Sequence, residues 1–397
     1  MTTLRYVGWS DRTGYGTAAT ELVRALDAAG VSVAWEPVLS RPGYLTVPAP
    51  ERPVGSAWRD LERLRDLDRV CDRVVLHLVP EYYPALLARE RARGDAPVWG
   101  CTVWETDRLP GHWPALLNRL DGVIVPTEWN REVFRASGVR VPIVVVPHVR
   151  PSFDGPASAE DRARLDARLP DLAGRRVFYT ISTWLERKGI APLIEAFTAA
   201  FRHSDPVALI VKTTADDLER TRPPRRKRPY PVALPVRPQL ARMVRRATMR
   251  QWRRPPPIVL VTDDLSDGEL RALHDRGDCY VSLSRGEGWG LGAFEAALLG
   301  KAVIVTGWGG YTAFVTPDTG YLVDWTLVPV RPAVPNASYT PDQSWAEPSV
   351  ASAAAALRAV VESPDEAARR GARARTDLRV RFDARAVAAG LRAALWP

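Results

Sequence analysis

Short apolar segments alternate with amphipathic or polar stretches along most of the chain. In its first part, six apolar or β-branched runs are each followed by helical or polar sequence, and they lie at 4–9, 31–35, 73–78, 98–103, 122–125 and 141–146. The last run is almost entirely apolar, as a strand covered on both faces should be. With an amphipathic helix predicted at 17–30, the alternation is typical of a doubly wound parallel sheet.

A stretch rich in Pro, Ser and Asp at 147–159 interrupts this alternation, and we interpret it as a linker. The pattern then restarts, with strands predicted at 176–182, 207–212, 258–261, 279–283 and 302–306 and helices at 191–201, 267–276 and from Gly292. Residues 329–349 contain five prolines, which predicts a long surface loop. The alanine- and arginine-rich segment 351–395 predicts helices.

At 397 residues, the chain is long enough for two domains. We predict an α/β fold of two Rossmann-like, doubly wound domains that face a cleft, with an N-terminal domain over 1–150 and a C-terminal domain over 160–375. Residues 376–397 are predicted to form a C-terminal helix, and packing of this helix back on the N-terminal domain is one arrangement we consider. A cleft between two such domains is a common place for a small-molecule site.

The composition limits the class of protein. Hydrophobic residues make up 46% and charged residues 25%, which is ordinary for a globular chain. No apolar run approaches the roughly 20 residues of a membrane helix, and the N-terminus lacks the apolar core of a signal peptide. We therefore expect a cytoplasmic protein. Three distant cysteines, Cys71, Cys101 and Cys279, indicate buried thiols rather than disulfides or a zinc site.

The net charge of +9 comes from one segment. Residues 221–254 contain twelve basic and no acidic side chains, whereas the remainder has 43 basic and 46 acidic residues. This segment belongs to a predicted insert at 219–254, between the strands at 207–212 and 258–261. The insert contains the basic run 225–228 and a predicted helix at 239–254.

The predicted helix of the insert has a narrow apolar stripe. The stripe is formed by Leu240, Met243, Val244 and Ala247. The surrounding arginines are Arg242, Arg245, Arg246, Arg250, Arg253 and Arg254. Two interpretations stay open: the helix packs on its domain, or it contacts an anionic membrane or polymer. Specific nucleic-acid binding is not expected, because only Tyr230 and Trp252 could stack on bases.

A glycine-rich turn joins a predicted buried strand to a helix at 282–296. Its glycines are Gly286, Gly288, Gly290 and Gly292. In such a turn the backbone N–H groups and the helix dipole favour a phosphate. Glu287 and Glu295 would repel a phosphate but suit hydroxyl groups, to which carboxylates bind through charge-assisted hydrogen bonds. Hydroxyls beside a phosphate suggest a ribose and a sugar.

The spacing from Glu287 to Glu295, in the sequence EGWGLGAFEAALLGKAVI, resembles the donor-site motif of family 4 glycosyltransferases, which have the GT-B fold. The resemblance covers most of the chain, with TEWN at 127–130, VPHV at 146–149, WLERKG at 184–189 and GWGG at 307–310. It implies a retaining glycosyltransferase that moves a hexose-type sugar from a nucleotide-diphosphate sugar, which is a substrate. The acceptor would be a hydroxyl of a polysaccharide, a glycolipid or a secondary metabolite.

The resemblance also implies roles for residues of the C-terminal domain. Glu295 would bind the ribose hydroxyls, Glu287 the hydroxyls of the donor sugar, and Lys188 the diphosphate. The backbone facing the sugar and the diphosphate would be that of Gly288, Trp289, Gly290 and Leu291. The family usually has an arginine five residues before the lysine, where this chain has Thr183. Arg187 or an arginine of the N-terminal domain is the candidate substitute.

On the N-terminal side, Gly14, Tyr15 and Gly16 follow the first strand and resemble the family's glycine turn near the diphosphate and acceptor. A plain strand-to-helix turn explains these residues equally well. The family's acceptor-side histidine has two candidate counterparts, Glu105 and His77. Open α/β sheets bind ligands at the carboxyl ends of their strands, which favours Glu105. For His77, a structural role in the core is the alternative.

No metal ion and no other cofactor is expected. The chain has one Asp-x-Asp sequence, Asp66-Leu67-Asp68, within a charge-rich pattern at 58–72 that we interpret as a solvated helix face. The departing phosphate can accept the acceptor's proton, so no side-chain base is required. The alternatives are an NAD enzyme, which needs a fuller glycine fingerprint, and a non-catalytic binder of anions or nucleic acid that uses the basic insert.

Overall fold

The computed structural model describes residues 2–52, 58–153, 155–222, 232–249, 254–331 and 337–397. The chain divides into two compact units. Unit 1 comprises Met1–Asp154 and Arg379–Pro397, and unit 2 comprises Gly155–Leu378. Each unit has its own sheet and its own hydrophobic core.

Strands and α-helices alternate along much of the chain. The strands are β1 (Thr3–Trp9), β2 (Ser32–Arg41), β3 (Leu45–Pro48), β4 (Arg73–His77), β5 (Val98–Cys101), β6 (Gly122–Val125), β7 (Ile143–Val145), β8 (Arg176–Ile181), β9 (Val207–Lys212), β10 (Asp216–Arg222), β11 (Val232–Pro235), β12 (Ile258–Val261), β13 (Cys279–Ser282), β14 (Ala302–Thr306), β15 (Tyr321–Val323), β16 (Trp325–Pro329) and β17 (Ser344–Pro348). The helices are α1 (Gly14–Ala28), α2 (Tyr83–Arg93), α3 (Trp113–Leu117), α4 (Glu128–Ala136), α5 (Ala159–Asp166), α6 (Ile190–Ala200), α7 (Val236–Met249), α8 (Asp267–Arg276), α9 (Leu291–Leu298), α10 (Val350–Glu362), α11 (Pro364–Arg381) and α12 (Ala384–Leu395). Runs of strands occur at β9 to β11 and β14 to β17, and three successive helices lie at the end.

Unit 1 is built on a sheet of seven strands in the order β3-β2-β1-β4-β5-β6-β7. Neighbouring strands are parallel except for the pair β2 and β3. Helix α1 is capped by Thr13, whose side chain accepts a hydrogen bond from the Gly16 amide and so satisfies one of the first free N–H groups. Leu22 and Leu26 of α1 share the core with Leu391 of α12, so the C-terminal helix is part of unit 1.

Unit 2 is built on a sheet of six parallel strands in the order β12-β9-β8-β13-β14-β15. Strands β8, β13 and β14 are neighbours in this sheet. Strand β8 pairs with β13 through Phe178 and Tyr179. Since parallel neighbours have their carboxyl ends at the same edge, the segments after these three strands lie together. These segments are the ones that contain Lys188, Glu287 and Gly310.

The predicted loop at 329–349 is partly wrong. Residues Ser344–Pro348 form strand β17, which pairs antiparallel with β16. Trp345 and Ala346 of β17 are buried, so the hairpin of β16 and β17 packs against the rest of unit 2. The prolines that suggested a loop therefore coexist with a strand, which a composition argument does not detect.

The basic insert has more structure than the sequence predicts. Strand β10 begins at Asp216, just before the insert, and pairs antiparallel with β11. Helix α7 begins three residues earlier than predicted and ends at Met249. Leu240 is buried, and Met243, Val244 and Ala247 pack against the core of unit 2. The apolar stripe is therefore used for packing within the domain. The run 225–228 and the residues Tyr230, Arg250, Trp252 and Arg253 lie outside the described residues.

Of the three thiols, Cys101 and Cys279 are buried as predicted, whereas Cys71 is partly exposed just before β4. All three are free. Among the described helices, none is both long enough and apolar enough to cross a bilayer.

Candidate functional site

The glycine loop of unit 2, residues 283–290, leads from the buried strand β13 into helix α9. In the part of the chain that the structure describes, the amide N–H groups of Gly288, Gly290 and Leu291 donate to no protein acceptor. Gly290 is the residue before the helix and has a φ of 94°, a conformation that favours glycine. Three amide donors at a helix N-terminus form a suitable environment for an anion.

The Glu287 side chain meets two cations from a different segment. Its Oε1 lies 2.5 Å from Lys188 Nζ, and its Oε2 lies 3.4 Å from Arg187 Nη1. Arg187 also donates to the carbonyl of Gly286. Both cations belong to a single 3-10 turn, Glu186–Lys188, which follows strand β8. The sheet order therefore brings together three residues that the sequence analysis assigned separately to the donor site.

The Glu287 carboxylate is buried and ionised. Burial raises its pKa, but the charges of Lys188 and Arg187 outweigh burial and bring the pKa below its usual value. A carboxylate that stays ionised next to two cations is an acceptor for hydroxyl groups and not an acid. The arrangement can bind sugar hydroxyls and an adjacent phosphate at once.

Glu295 lies in the second turn of α9, next to a buried histidine. Its Oε2 is 3.5 Å from His274 Nε2, and the other ring nitrogen, Nδ1, lies 2.9 Å from the Tyr179 hydroxyl. Burial raises the pKa of Tyr179 well above its usual value, so the phenol keeps its proton and donates to Nδ1. His274 then presents its Nε2 side to Glu295. Sequence reasoning did not single out His274, which lies on α8.

The segment that follows β14 contacts the backbone of the glycine loop. The Gly310 amide donates to the Glu287 carbonyl at 2.7 Å. A Cβ on Gly310 would lie 2.3 Å from the Gly288 carbonyl oxygen, so only glycine fits there. The Trp289 indole is buried against Phe294 and Phe314, which leaves its backbone, and not its ring, for a ligand.

Thr183, which stands where the resemblance would place an arginine, is partly buried after β8. Within unit 2, the second cation next to Glu287 is Arg187. Arg187 therefore stays a candidate for the role of the missing arginine, beside an arginine of the N-terminal domain.

Two residues that sequence reasoning missed contact this site. Arg285 lies inside the glycine loop and forms an ion pair with Glu347 of β17. Arg285 was visible in the motif but carried no signal of its role. Glu347 lay in a segment predicted to be a loop, 62 positions away, so no local pattern could have paired the two.

In unit 1, Gly14, Tyr15 and Gly16 form the first turn of α1. The Tyr15 hydroxyl lies 3.0 Å from Thr102 Oγ1, at the end of β5. Burial raises the pKa of Tyr15, and the nearby negative charge of Glu105 raises it further. The Tyr15 hydroxyl also donates to the Val103 carbonyl at 3.3 Å, so Tyr15 contacts the segment that leads to Glu105. Glu105 itself lies four residues beyond the last residue of β5, in a loop, and is partly buried.

His77, at the end of β4, is 1% exposed. The Tyr6 hydroxyl lies 2.7 Å from its Nδ1, and the His148 ring stacks on it at 6.2 Å. Burial, with the neighbouring His148, lowers the pKa of His77 to about 3. Burial also lowers the pKa of His148 to about 4. A buried, neutral imidazole fits the structural alternative for His77 better than contact with an acceptor.

The Asp-x-Asp sequence does not lie on a helix, contrary to the prediction. The helical part of this region is a 3-10 helix, Arg59–Leu64, and Asp66 and Asp68 lie in the bend after it. Asp66 accepts from the amide and the Nε atom of Arg69. Among the described residues, no three His, Cys, Asp or Glu side chains come together as a metal-ligand set.

Comparison with known proteins supports the fold. No protein-family model and no curated protein sequence matches the chain. Among solved structures, HepE of Anabaena in complex with UDP and glucose is 15% identical with a TM-score of 0.63, covering 100% of this chain and 99% of that one. Sucrose-phosphate synthase from Thermosynechococcus elongatus is 16% identical with a TM-score of 0.66, covering 98% and 97%. Trehalose-6-phosphate synthase OtsA is 15% identical with a TM-score of 0.62, covering 99% of each chain.

At such low identity, these similarities establish the fold alone. They confirm the predicted α/β class with two Rossmann-like, doubly wound domains of the GT-B type.

Proposed function

We propose that this protein is a retaining glycosyltransferase of family 4 that moves a hexose-type sugar from a nucleotide-diphosphate sugar to an acceptor hydroxyl. The observation that carries the proposal is the cluster of Glu287, Lys188 and Arg187 beside the free amides of the glycine loop. This cluster combines donors for a phosphate with a carboxylate for hydroxyls. HepE, with the same fold, binds UDP and glucose.

In this proposal the donor binds to unit 2. Glu295 accepts from the ribose hydroxyls, and its neighbour His274 limits the directions its carboxylate can take. Glu287 accepts from the sugar hydroxyls. The amides of Gly288, Gly290 and Leu291 donate toward the diphosphate and sugar, since they have no protein acceptor in the described part of the chain.

The chemical step breaks the bond between the sugar's anomeric carbon and the diphosphate oxygen while the acceptor oxygen bonds to that carbon from the same face. The acceptor's proton passes to a phosphate oxygen, so the leaving group itself serves as the base. Lys188 and Arg187 stabilise the negative charge that develops on the diphosphate, which is usually a large catalytic effect. Because two cations are at hand, we propose that the reaction needs no metal ion.

We propose that unit 1 serves the acceptor, with Glu105 and the turn Gly14 to Gly16 as the contacting groups. The hydrogen bonds of Tyr15 with Thr102 and Val103, in the segment that leads to Glu105, support placing both in one site. His77 is an unsuitable acceptor ligand because it is buried and held by Tyr6.

A further partner is proposed for the basic insert, namely an anionic membrane or polymer that carries the acceptor. Arg242, Arg245 and Arg246 of α7 are exposed, and in the described residues none of them forms an ion pair. Because the apolar stripe of α7 packs on unit 2, such binding would rest on charge alone.

Thermal-shift screening with a panel of nucleotides and nucleotide-sugars tests the proposal. A ligand at 100 times its Kd adds about 2.7 kcal/mol to the stability of the native state. A nucleotide-sugar that stabilises the protein should then be turned over to free nucleotide diphosphate. Stabilisation by NAD alone would favour the dehydrogenase alternative, and stabilisation only by polyanions would favour a non-catalytic binder.

A further inference from the structure

Arg285 connects the glycine loop to the turn that contains Arg187 and Lys188. Its backbone N–H donates to the Arg187 carbonyl at 2.7 Å, and its Nη1 donates to the Glu186 carbonyl at 2.6 Å. One residue of the loop therefore holds two successive peptide groups of the Glu186–Lys188 turn. This turn is a single 3-10 turn, so contacts from outside it contribute much of its rigidity.

The Arg285 guanidinium is itself held by strand β17. Its Nε lies 2.5 Å from Glu347 Oε2 and its Nη2 lies 2.9 Å from Glu347 Oε1, a bidentate pair. The Trp345 ring lies 5.7 Å from the guanidinium carbon, and the Ala346 amide donates to the Arg285 carbonyl at 2.9 Å. The hairpin of β16 and β17 thus fixes Arg285 through three successive residues.

We propose that Arg285 and Glu347 are positioning residues that hold the Glu186–Lys188 turn, and with it Lys188, in register with Glu287. The inference rests on the proposed function, because it assigns the turn to the leaving diphosphate. Neither residue need touch the substrate. Arg285 acts through the two carbonyls it binds, and Glu347 acts by fixing the plane of the guanidinium.

The chain offers a matched control pair in the same unit. Arg370 contacts Glu366 at 2.8 Å, donates to the Gly320 carbonyl at 2.9 Å and lies 4.4 Å from the Tyr321 ring. This pair has the same kinds of contact as Arg285 and Glu347, but it does not contact the turn or the glycine loop. Glu366→Gln therefore removes the ion pairs of Glu366 with Arg370 and Arg369 without affecting the proposed site.

The experiment compares wild type with Glu347→Gln, Arg285→Lys and Glu366→Gln in the full chain. Two measurements are made: steady-state release of UDP from UDP-glucose, or from the nucleotide-sugar found by the screen, and hydrogen exchange of the peptide spanning 184–190. Lysine keeps the charge of Arg285 but lacks the planar fork that serves Glu347 and Glu186 together. The proposal predicts a roughly ten- to hundredfold lower kcat in the first two variants, with a smaller change in donor KM.

The proposal also predicts faster hydrogen exchange of the peptide 184–190 in Glu347→Gln and Arg285→Lys. Glu366→Gln should behave as wild type in both measurements. If kcat and exchange in the first two variants match the Glu366→Gln control, the positioning role is overturned. If kcat falls without any change in exchange or melting temperature beyond the control, the pair acts on the substrate directly and this role is likewise overturned. A wild-type protein that turns over no nucleotide-sugar overturns the proposed function and, with it, this role in catalysis, whatever the exchange shows.

Discussion

Lys188 Nζ lies 2.5 Å from Glu287 Oε1, although the two residues are 99 positions apart in the chain. Both follow strands of one parallel sheet, β8 and β13, which are direct neighbours. Glu287 is buried and Lys188 is partly buried, so each charge depends on the other, and loss of either leaves an unfavourable environment for its partner. Arg187 provides a second cation for Glu287.

Lys188→Ala and Glu295→Gln should each reduce transfer while leaving the fold intact. Each removes one proposed charge-assisted contact to the donor, and such a loss costs on the order of 1.5–3 kcal/mol, or roughly ten- to a hundredfold in rate. In Lys188→Ala, Arg187 still faces Glu287, so the fold should survive. The measurement is nucleotide release at subsaturating donor, with circular dichroism to verify folding. Turnover close to wild type in either variant would refute that residue's role.

EDTA should leave activity largely unchanged. In the proposed mechanism Lys188 and Arg187 are the counter-ions of the diphosphate, and the single Asp-x-Asp sequence lies beyond the 3-10 helix, where Asp66 binds Arg69. Nucleotide release is measured before and after dialysis against EDTA. Loss of activity that manganese or magnesium restores would show that the reaction uses a metal ion.

Gly310→Ala should impair donor binding and turnover strongly. The added Cβ would lie 2.3 Å from the Gly288 carbonyl oxygen and 2.6 Å from the Trp289 nitrogen, so the glycine loop must move. Gly111→Ala is the control, because a Cβ there has no atom within 4 Å. UDP binding by calorimetry compares the two variants. Equal affinities would mean that the loop tolerates the displacement or does not bind the donor.

Acid should destabilise unit 1 partly through His77. Its pKa is about 3 in the folded protein, against 6.5 for the ordinary residue, so the unfolded chain binds more protons between these values. The stabilising contribution of the neutral ring is complete above pH 6.5 and is lost as the pH falls toward 3. At pH 5 the loss amounts to about 2 kcal/mol.

In His77→Gln, the urea midpoint should therefore fall less between pH 7 and pH 5 than it does in wild type. His203→Gln, which changes an exposed histidine, should retain the wild-type pH dependence. An identical pH dependence in all three proteins would show that His77 is not buried in its neutral form.

The insert should bind anionic liposomes at low salt and release them near 0.5 M salt, where the Debye length is roughly 4–5 Å. A variant with Arg242, Arg245, Arg246 and Arg250 changed to Gln should not pellet with the liposomes, although Arg250 lies outside the described residues. A control variant loses four exposed arginines of α11 instead, namely Arg369, Arg373, Arg375 and Arg379. If wild type and both variants stay equally in solution, membrane recruitment is excluded, and a soluble anionic acceptor or a structural role remains for the insert.

Much of the fold could be predicted because the repeating pattern of buried strands and amphipathic helices is local. Strands at 122–125, 207–212, 258–261 and 302–306 match the structure to the residue, since each is a short run dominated by apolar and β-branched residues, which is a local signal. The glycine loop before α9 was also predictable, because the backbone conformation that it requires is provided by glycines close together in the sequence.

Only the tertiary structure decided which side chains meet. The pairing of Lys188 with Glu287 depends on β8 and β13 being neighbours, a matter of strand order that periodicity does not encode. The pairing of Arg285 with Glu347 also depends on the tertiary structure, because the proline-rich segment that contains Glu347 gave no sign of a strand. For α7, the sequence left two uses open for its apolar stripe, and packing against the core of unit 2 decided between them. Hydrophobic patterns specify that a face is buried, whereas the partner that buries it is set by the long-range arrangement of the chain.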